Sequence, residues 1–109
     1  MANRLRGEIE AMLDGRRWTL VLTLGALAEL EQGFGVADMV ALADRLGSGR
    51  LSAGDAIRVI GAGLRGAGHQ VEDAQVAAMA TPGGAAGFAA IVVDLLMATF
   101  GAGDTPPDP

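Results

Sequence analysis

The feature that most constrains this chain is an aspartate-glycine pair between two runs in which apolar residues alternate with polar ones. Asp14 and Gly15 favour a two-residue type I′ turn, because both central residues of that turn need positive φ. Residues 8–13 and 16–21 then form the strands of a β-hairpin. The turn also fixes the register. The predicted pairs are Glu8 with Val21, Ile9 with Leu20, Glu10 with Thr19, Ala11 with Trp18, Met12 with Arg17 and Leu13 with Arg16.

This register places the apolar side chains of both strands on one face of the hairpin, since opposed residues share a face. A two-stranded hairpin is only marginally stable alone, so this face must lie against helices. Trp18 is the only tryptophan of the chain, and its predicted neighbour Ala11 leaves space beside it. We therefore expect Trp18 to anchor the hairpin to the helices.

Helical spacing and capping residues predict the elements that follow. Thr23 can cap a first helix that ends at Gly33 or Gly35, with an apolar stripe that begins at Leu24. Ser52 and Asp55 form a capping pair at the start of a later helix. The predicted helices after the first cover residues 36–46, 53–66, 71–79 and 85–100. The last helix has a stripe so broad that we expect burial on more than one side.

The element order indicates an α+β fold, in which an N-terminal β-hairpin packs on a small bundle of four to five helices. We expect one globular domain over residues 1–101 and a disordered tail at 102–109, which is polar and rich in proline. The formal net charge of −5 disfavours nucleic acid and anionic membranes as partners. No signal peptide or membrane span is evident, so we expect a soluble cytoplasmic protein.

Residues 61–66 match G-x-G-x-x-G, the fingerprint of dinucleotide-binding loops. That loop must follow a strand and open a helix, whereas here the motif lies inside a predicted helix. We interpret Gly61 and Gly63 as packing glycines, which let a neighbouring element approach closely. The sequence therefore predicts no cofactor at this motif.

No set of residues provides a nucleophile, a base and an oxyanion site. His69 is the only histidine, and we expect it to be a solvent-exposed loop residue rather than a metal ligand. Glu29 and Glu31 point to different helix faces, and Asp94 is expected at the solvent edge of the last helix. The chain has no cysteine. We predict a protein that is not an enzyme and has no catalytic, cofactor or metal site.

Several segments resemble the small tail-module proteins of gene transfer agents, the phage-like particles of alphaproteobacteria that package host DNA. The segments are Trp18–Leu20, Thr23–Glu31, Phe34–Gly35 and, above all, Ile60–Gly68 with the sequence IGAGLRGAG. The resemblance extends from about residue 4 to residue 101. It implies tail proteins, such as tape-measure or tube components, as partners, and it carries no catalytic residues.

Two roles are compatible with this resemblance. A tube subunit must form stacked rings, and phage tubes resemble β-barrel rings, whereas this chain provides one short hairpin. We therefore expect an assembly chaperone that acts with the tape-measure protein, with a structural tail tube subunit as the alternative. A homo-oligomer is compatible with either role, as is incorporation into the particle tail.

The outward face of the hairpin is the candidate partner surface. Its residues are Met12, Arg17 and Val21, a mixture of apolar and charged side chains typical of reversible contacts. Unpaired strand edges beside this face can accept an added strand. The broad stripe of the last helix, with Phe88, Val92 and Phe100, is the second candidate.

Overall fold

A computed structural model of the protein describes residues 2–101. After a short 3-10 turn at Arg4–Arg6, the chain forms a two-stranded antiparallel sheet and five helices. The elements are β1 (Glu8–Leu13), β2 (Arg16–Val21), α1 (Leu24–Phe34), α2 (Met39–Leu46), α3 (Ala53–Gly66), α4 (Asp73–Ala77) and α5 (Gly84–Phe100). This arrangement confirms the predicted α+β class, a hairpin followed by helices. The tail predicted at 102–109 lies outside the described residues.

The hairpin has the register that the sequence predicts, with all six residue pairs in place. Asp14 and Gly15 have φ values of 54° and 75°, as a type I′ turn requires. Asp14 is the only residue other than glycine with positive φ in the described chain. The turn therefore sets the pairing, and the pairing sets which side chains face the helices.

The core lies between the inner face of the hairpin and the helices α1, α3 and α5. Helix α3 packs across β2 and α1, while α5 packs across β1 and α3. The hairpin buries Ile9, Ala11, Leu13 and Leu20, and α3 buries Val59, Ile60, Ala62 and Leu64. The core is therefore aliphatic, with Trp18 half-buried at its edge.

Side-chain caps determine where the helices begin. The hydroxyl of Thr23 accepts a hydrogen bond from the amide of Ala26 (3.1 Å), so α1 begins as predicted. Gly35 ends α1 in the left-handed conformation. Helix α2 begins at Met39 rather than at residue 36, because Asp38 accepts a hydrogen bond from the amide of Ala41 and so caps it. Helix α4 is also shorter than the predicted 71–79.

Two predicted stripes are less buried than the sequence suggests. Leu24 is 74% exposed, because Ala26, Leu27 and Leu30 form the face of α1 that meets the core. In α5 Val92 and Leu95 are fully buried, whereas Phe88, Ile91, Leu96 and Phe100 of the predicted stripe are only half-buried against the core. Helix α5 packs on α3, the hairpin and the 3-10 turn.

Candidate partner surface

The three residues predicted as a partner surface lie on the face of the hairpin that points away from the core. Met12 is 39% exposed, Arg17 is exposed, and Val21 is half-buried. The Nε atom of Arg17 lies 3.8 Å from Oε1 of Glu10, so this arginine has an ion-pair partner on its own hairpin. The face is therefore mixed in character, with one exposed thioether beside an exposed ion pair.

The edge of β1 is covered near the turn. In a two-residue turn the residues on either side of the turn, here Leu13 and Arg16, hydrogen-bond to each other. Successive residues of a strand direct their backbone groups to opposite sides, so residues 10 and 12 direct theirs away from β2. The hydroxyl of Thr81 donates to the carbonyl of Met12 (2.6 Å). The amide of Asp14 donates to the carbonyl of Ala80 (2.8 Å), and the amide of Ala80 donates to the carboxylate of Asp14 (2.8 Å). The loop before α5 thus closes this end of the edge.

Other outward backbone groups on the two edges make no such contacts. These groups belong to Glu10 on β1 and to Arg17 and Thr19 on β2. None of these three has a hydrogen-bond partner on its outward side among residues 2–101. Unpaired strand edges are the places where a sheet accepts a further strand. The hairpin therefore offers two short stretches of backbone to a partner.

The G-x-G-x-x-G motif lies inside α3, not at a junction between a strand and a helix, and its glycines make room for neighbours. A Cβ atom on Gly66 would overlap the carbonyl oxygen of Val21, and one on Gly61 would overlap the carboxylate of Asp73. A Cβ atom on Gly63 would lie 2.8 Å from a methyl carbon of Leu95. The motif therefore serves packing, as predicted for Gly61 and Gly63.

Arg65, on the same helix, joins three parts of the molecule. Its guanidinium binds the carboxylate of Glu29 on α1, and its Nη1 lies 3.0 Å from Oδ1 of Asp73 on α4. Nη1 also donates to the carbonyl of Val71 (2.8 Å). The hydrogen bond with Glu29 is the main reason that the pKa of Arg65 is raised above its ordinary value. Sequence reasoning missed this network, because its members are far apart in the chain and follow no local pattern.

His69 is half-buried, so the prediction of a solvent-exposed loop residue is wrong. It does lie in the loop between α3 and α4, but its ring packs edge-on against Trp18 with 4.9 Å between the ring centroids. Its Nε2 atom is buried and has no hydrogen-bond partner in the described structure. The guanidinium of Arg16 covers the Trp18 ring at 4.6 Å. Trp18 therefore connects the hairpin to the loop after α3.

An open apolar groove of about 290 Å³ lies between α3, α4 and α5. Its lining includes Ile57, Ile60, Val76, Met79 and Phe88. None of its lining residues is charged, and Asp55 at the start of α3 is occupied by its own cap and by Arg45. The groove is suited to an apolar segment and provides no charged group for a polar ligand.

The residues weighed for catalysis remain apart. Ser52 caps α3, the Ser48 hydroxyl donates to the carbonyl of Arg45 at the end of α2, and Glu29 is held by Arg65. Asp94 is about half exposed and pairs with Arg4 at 2.8 Å, at the solvent edge of α5 as predicted. Over residues 2–101, no group of three or more acidic or histidine side chains is placed to hold a metal ion. In the same part of the chain, no helix is long and apolar enough to cross a membrane.

Free strand edges, a mixed hairpin face and an apolar groove are features of a protein that binds other protein chains. The family model described as "Phage tail tube protein, GTA-gp10" matches residues 6–102, which is nearly the whole chain. The protein therefore belongs to this family of gene transfer agent tail proteins. Comparison with curated proteins and with solved structures gives no match in either case.

Proposed function

We propose that the protein is a structural subunit of the tail tube of a phage-like particle. The observation that carries this proposal is the family match, which covers the hairpin and all five helices and whose description names a tube protein. This reverses the preference for a chaperone given by the sequence, because the family description favours the alternative. We expect the subunit to have no catalytic activity, in keeping with a structural family.

The hairpin supports this role. A subunit of an open stack must contact its neighbours through different surfaces on its two sides, because identical surfaces would close the assembly as a pair. The hairpin has two separate edges, with free backbone groups at Glu10 on β1 and at Arg17 and Thr19 on β2. Backbone pairing at a sheet edge gives affinity, and adjacent side chains give specificity. We propose that Met12, Arg17 and Val21 form part of this contact with copies of the chain or with other tail proteins.

An assembly chaperone that acts with the tape-measure protein is the second candidate. The observation that favours it is the apolar groove between α3, α4 and α5, which is open and of a size that could hold a few apolar side chains of a partner. The described chain also has only one two-stranded sheet, which is little β-structure for a tube wall. A chaperone needs such a groove, whereas a tube subunit needs copies of itself.

The copy number in finished particles separates the two roles. Particles are purified from producing cells, and peptides of this chain are quantified by mass spectrometry against those of the tape-measure protein. A tube subunit is expected in many copies per tape-measure chain. Absence from finished particles, together with loss of tails when the gene is deleted, would instead assign the chaperone role. Normal tails after deletion would exclude both roles.

A further inference from the structure

The outer side of α5 carries an apolar seam that is open to solvent. Its residues are Ala86, Ala90, Val93 and Met97, all exposed, with Val93 at 52% and Met97 at 42%. Their spacing of four, three and four residues is the spacing of the contact positions in a coiled coil. At 3.6 residues per turn this seam lies opposite the buried Val92 and Leu95. Helix α5 therefore has two apolar sides and buries only one of them.

No free charge interrupts the seam. Asp94 is the only charged residue of α5, and Arg4 pairs with it at 2.8 Å. The 3-10 turn that carries Arg4 packs on α5, and its Leu5 is 97% exposed. The turn therefore adds another exposed apolar side chain to an element that packs on the same helix. A row of exposed apolar side chains on one side of a small protein is typical of a contact site.

We propose that this seam packs against the same seam of a second copy, with the two α5 helices antiparallel. The seam has small residues at its beginning and large residues at its end. An antiparallel pair sets Met97 of one copy against Ala86 of the other, and Val93 against Ala90, so large residues meet small ones. A parallel pair would crowd the two Met97 side chains together and leave a gap between the alanines. The sizes of the side chains therefore make the seam complementary to itself.

The absence of charge on the seam also favours a second copy of the chain as its partner. A partner with charged residues on its contact face would bury those charges without counterparts, because the seam provides none. A second copy brings only alanine, valine and methionine to the contact, and its Asp94 arrives already paired with Arg4. A two-fold arrangement repeats each contact twice, as is usual for homodimers.

The size of the seam indicates a weak pair. A helix of the length of α5 extends about 25 Å, and one helix-to-helix contact buries less than the roughly 1,600 Å² of a standard interface. We therefore expect reversible self-association that depends on concentration. This inference does not rest on the proposed role in the tail tube. A two-fold pair is closed and can form in the protein before assembly, whereas a tube requires an open stack of subunits.

Sedimentation of the full chain over a range of concentrations tests the proposal. The parent chain is expected to shift from monomer to dimer as its concentration rises, with a dissociation constant below about 1 mM. Val93→Glu is expected to weaken the dimer at least about tenfold, because it places like charges in the contact. Val40→Glu is the matched control, because Val40 is a 72% exposed valine on α2. It should leave the dimer unchanged. Circular dichroism checks that both variants fold. A parent chain that stays monomeric, or a dimer that Val93→Glu leaves intact, overturns the proposal.

Disulfide trapping tests the direction of packing, because the chain has no cysteine of its own. Chains with Ala86→Cys and chains with Met97→Cys are labelled with different tags, mixed and oxidised. The antiparallel pair predicts disulfides mainly between the two kinds of chain. Disulfides mainly between chains of the same kind would show parallel packing and overturn the arrangement. Ala90→Glu gives an independent check, since it too should weaken the dimer.

Discussion

A single glycine, Gly66, allows α3 to end against the backbone of β2. A Cβ atom there would overlap the carbonyl oxygen of Val21, and a backbone atom cannot rotate away as a side chain can. Gly66→Ala should therefore lower the free energy of unfolding by about 2 kcal/mol, within the range for overpacked sites. Urea denaturation measures the change. Gly61→Ala should cost less, because its neighbour is the side-chain carboxylate of Asp73, which can rotate away at the cost of its ion pair with Arg65.

Gly54 provides the control on the same helix. Its nearest neighbour would be the hydroxyl oxygen of Ser52 at 3.7 Å, an ordinary contact distance. Gly54→Ala should therefore raise stability, by up to about 1 kcal/mol, because alanine is the better helix former. Equal effects of Gly54→Ala and Gly66→Ala would show that helix propensity, rather than close approach to β2, governs this helix.

Trp18 makes one hydrogen bond within the hairpin and one ring contact that links the hairpin to the loop after α3. Its Nε1 donates to the carbonyl of Leu13 (3.1 Å), and its ring packs on His69. Because the ring is only half-buried, Trp18→Ala should lower the free energy of unfolding by about 3 kcal/mol, the low end for losing a large aromatic side chain. Trp18→Phe keeps a ring and loses the hydrogen bond, so it should cost about 1 kcal/mol. A Trp18→Ala loss below about 1 kcal/mol would show that the hairpin is anchored elsewhere.

Among the elements, the junction of α2 and α3 depends on one buried carboxylate, Asp55. Burial alone would raise the pKa of this group. The amide of Ser52 (3.0 Å) and the guanidinium of Arg45 (3.1 Å) donate to its Oδ2 and outweigh burial, so the pKa of Asp55 is lowered. Asp55 thereby links the start of α3 to the last turn of α2.

The lowered pKa sets the sign of a pH effect. A group with a folded-state pKa below its unfolded value contributes stability above the unfolded pKa and loses it as the pH falls through the folded pKa. Asp55→Asn should therefore be less stable than the parent at pH 7, by about 1 to 3 kcal/mol. The difference should shrink as the pH falls below about 4. Urea denaturation of both chains from neutral to acidic pH measures it, and a difference that is constant with pH would contradict the assignment.

Local signals explain why the hairpin and most helix starts could be predicted from sequence. Asp14-Gly15 fixes the turn, and the caps Thr23 and Ser52 bond only to residues three positions away. Contacts between segments that are distant in the chain have no such local signal in the sequence. The half-burial of His69 depends on Trp18, 51 positions earlier by residue number, and the network of Arg65 joins α1 to α4. Periodicity indicated one broad apolar stripe on α5 but could not show how much of it the fold would cover.

At the scale of the whole molecule, two exposed surfaces among residues 2–101 differ in their chemistry. The hairpin face combines Met12 with the ion pair of Arg17 and Glu10. The seam of α5 is apolar throughout and lies on the far side of that helix from β1 and the rest of the core. Surfaces that mix apolar and charged side chains are typical of reversible contacts with other proteins. The uncharged seam of α5 is instead suited to pack against the same seam of a second copy. The two surfaces can therefore be tested independently.

The hairpin face is tested by reversing its character in producing cells. Val21 is half-buried, so the exposed pair Met12→Glu and Arg17→Glu changes the surface with less risk to folding. If the face contacts tail proteins, this double variant should fold normally by circular dichroism and fail to build tails of normal length. The cause would be like charges beside Glu10 and the loss of the one exposed apolar side chain. Arg50→Glu, at an exposed loop position, controls for the change in net charge. A folded double variant that builds normal tails would exclude the hairpin face and leave the strand edges, the groove and the seam of α5 as the surfaces that meet the tail.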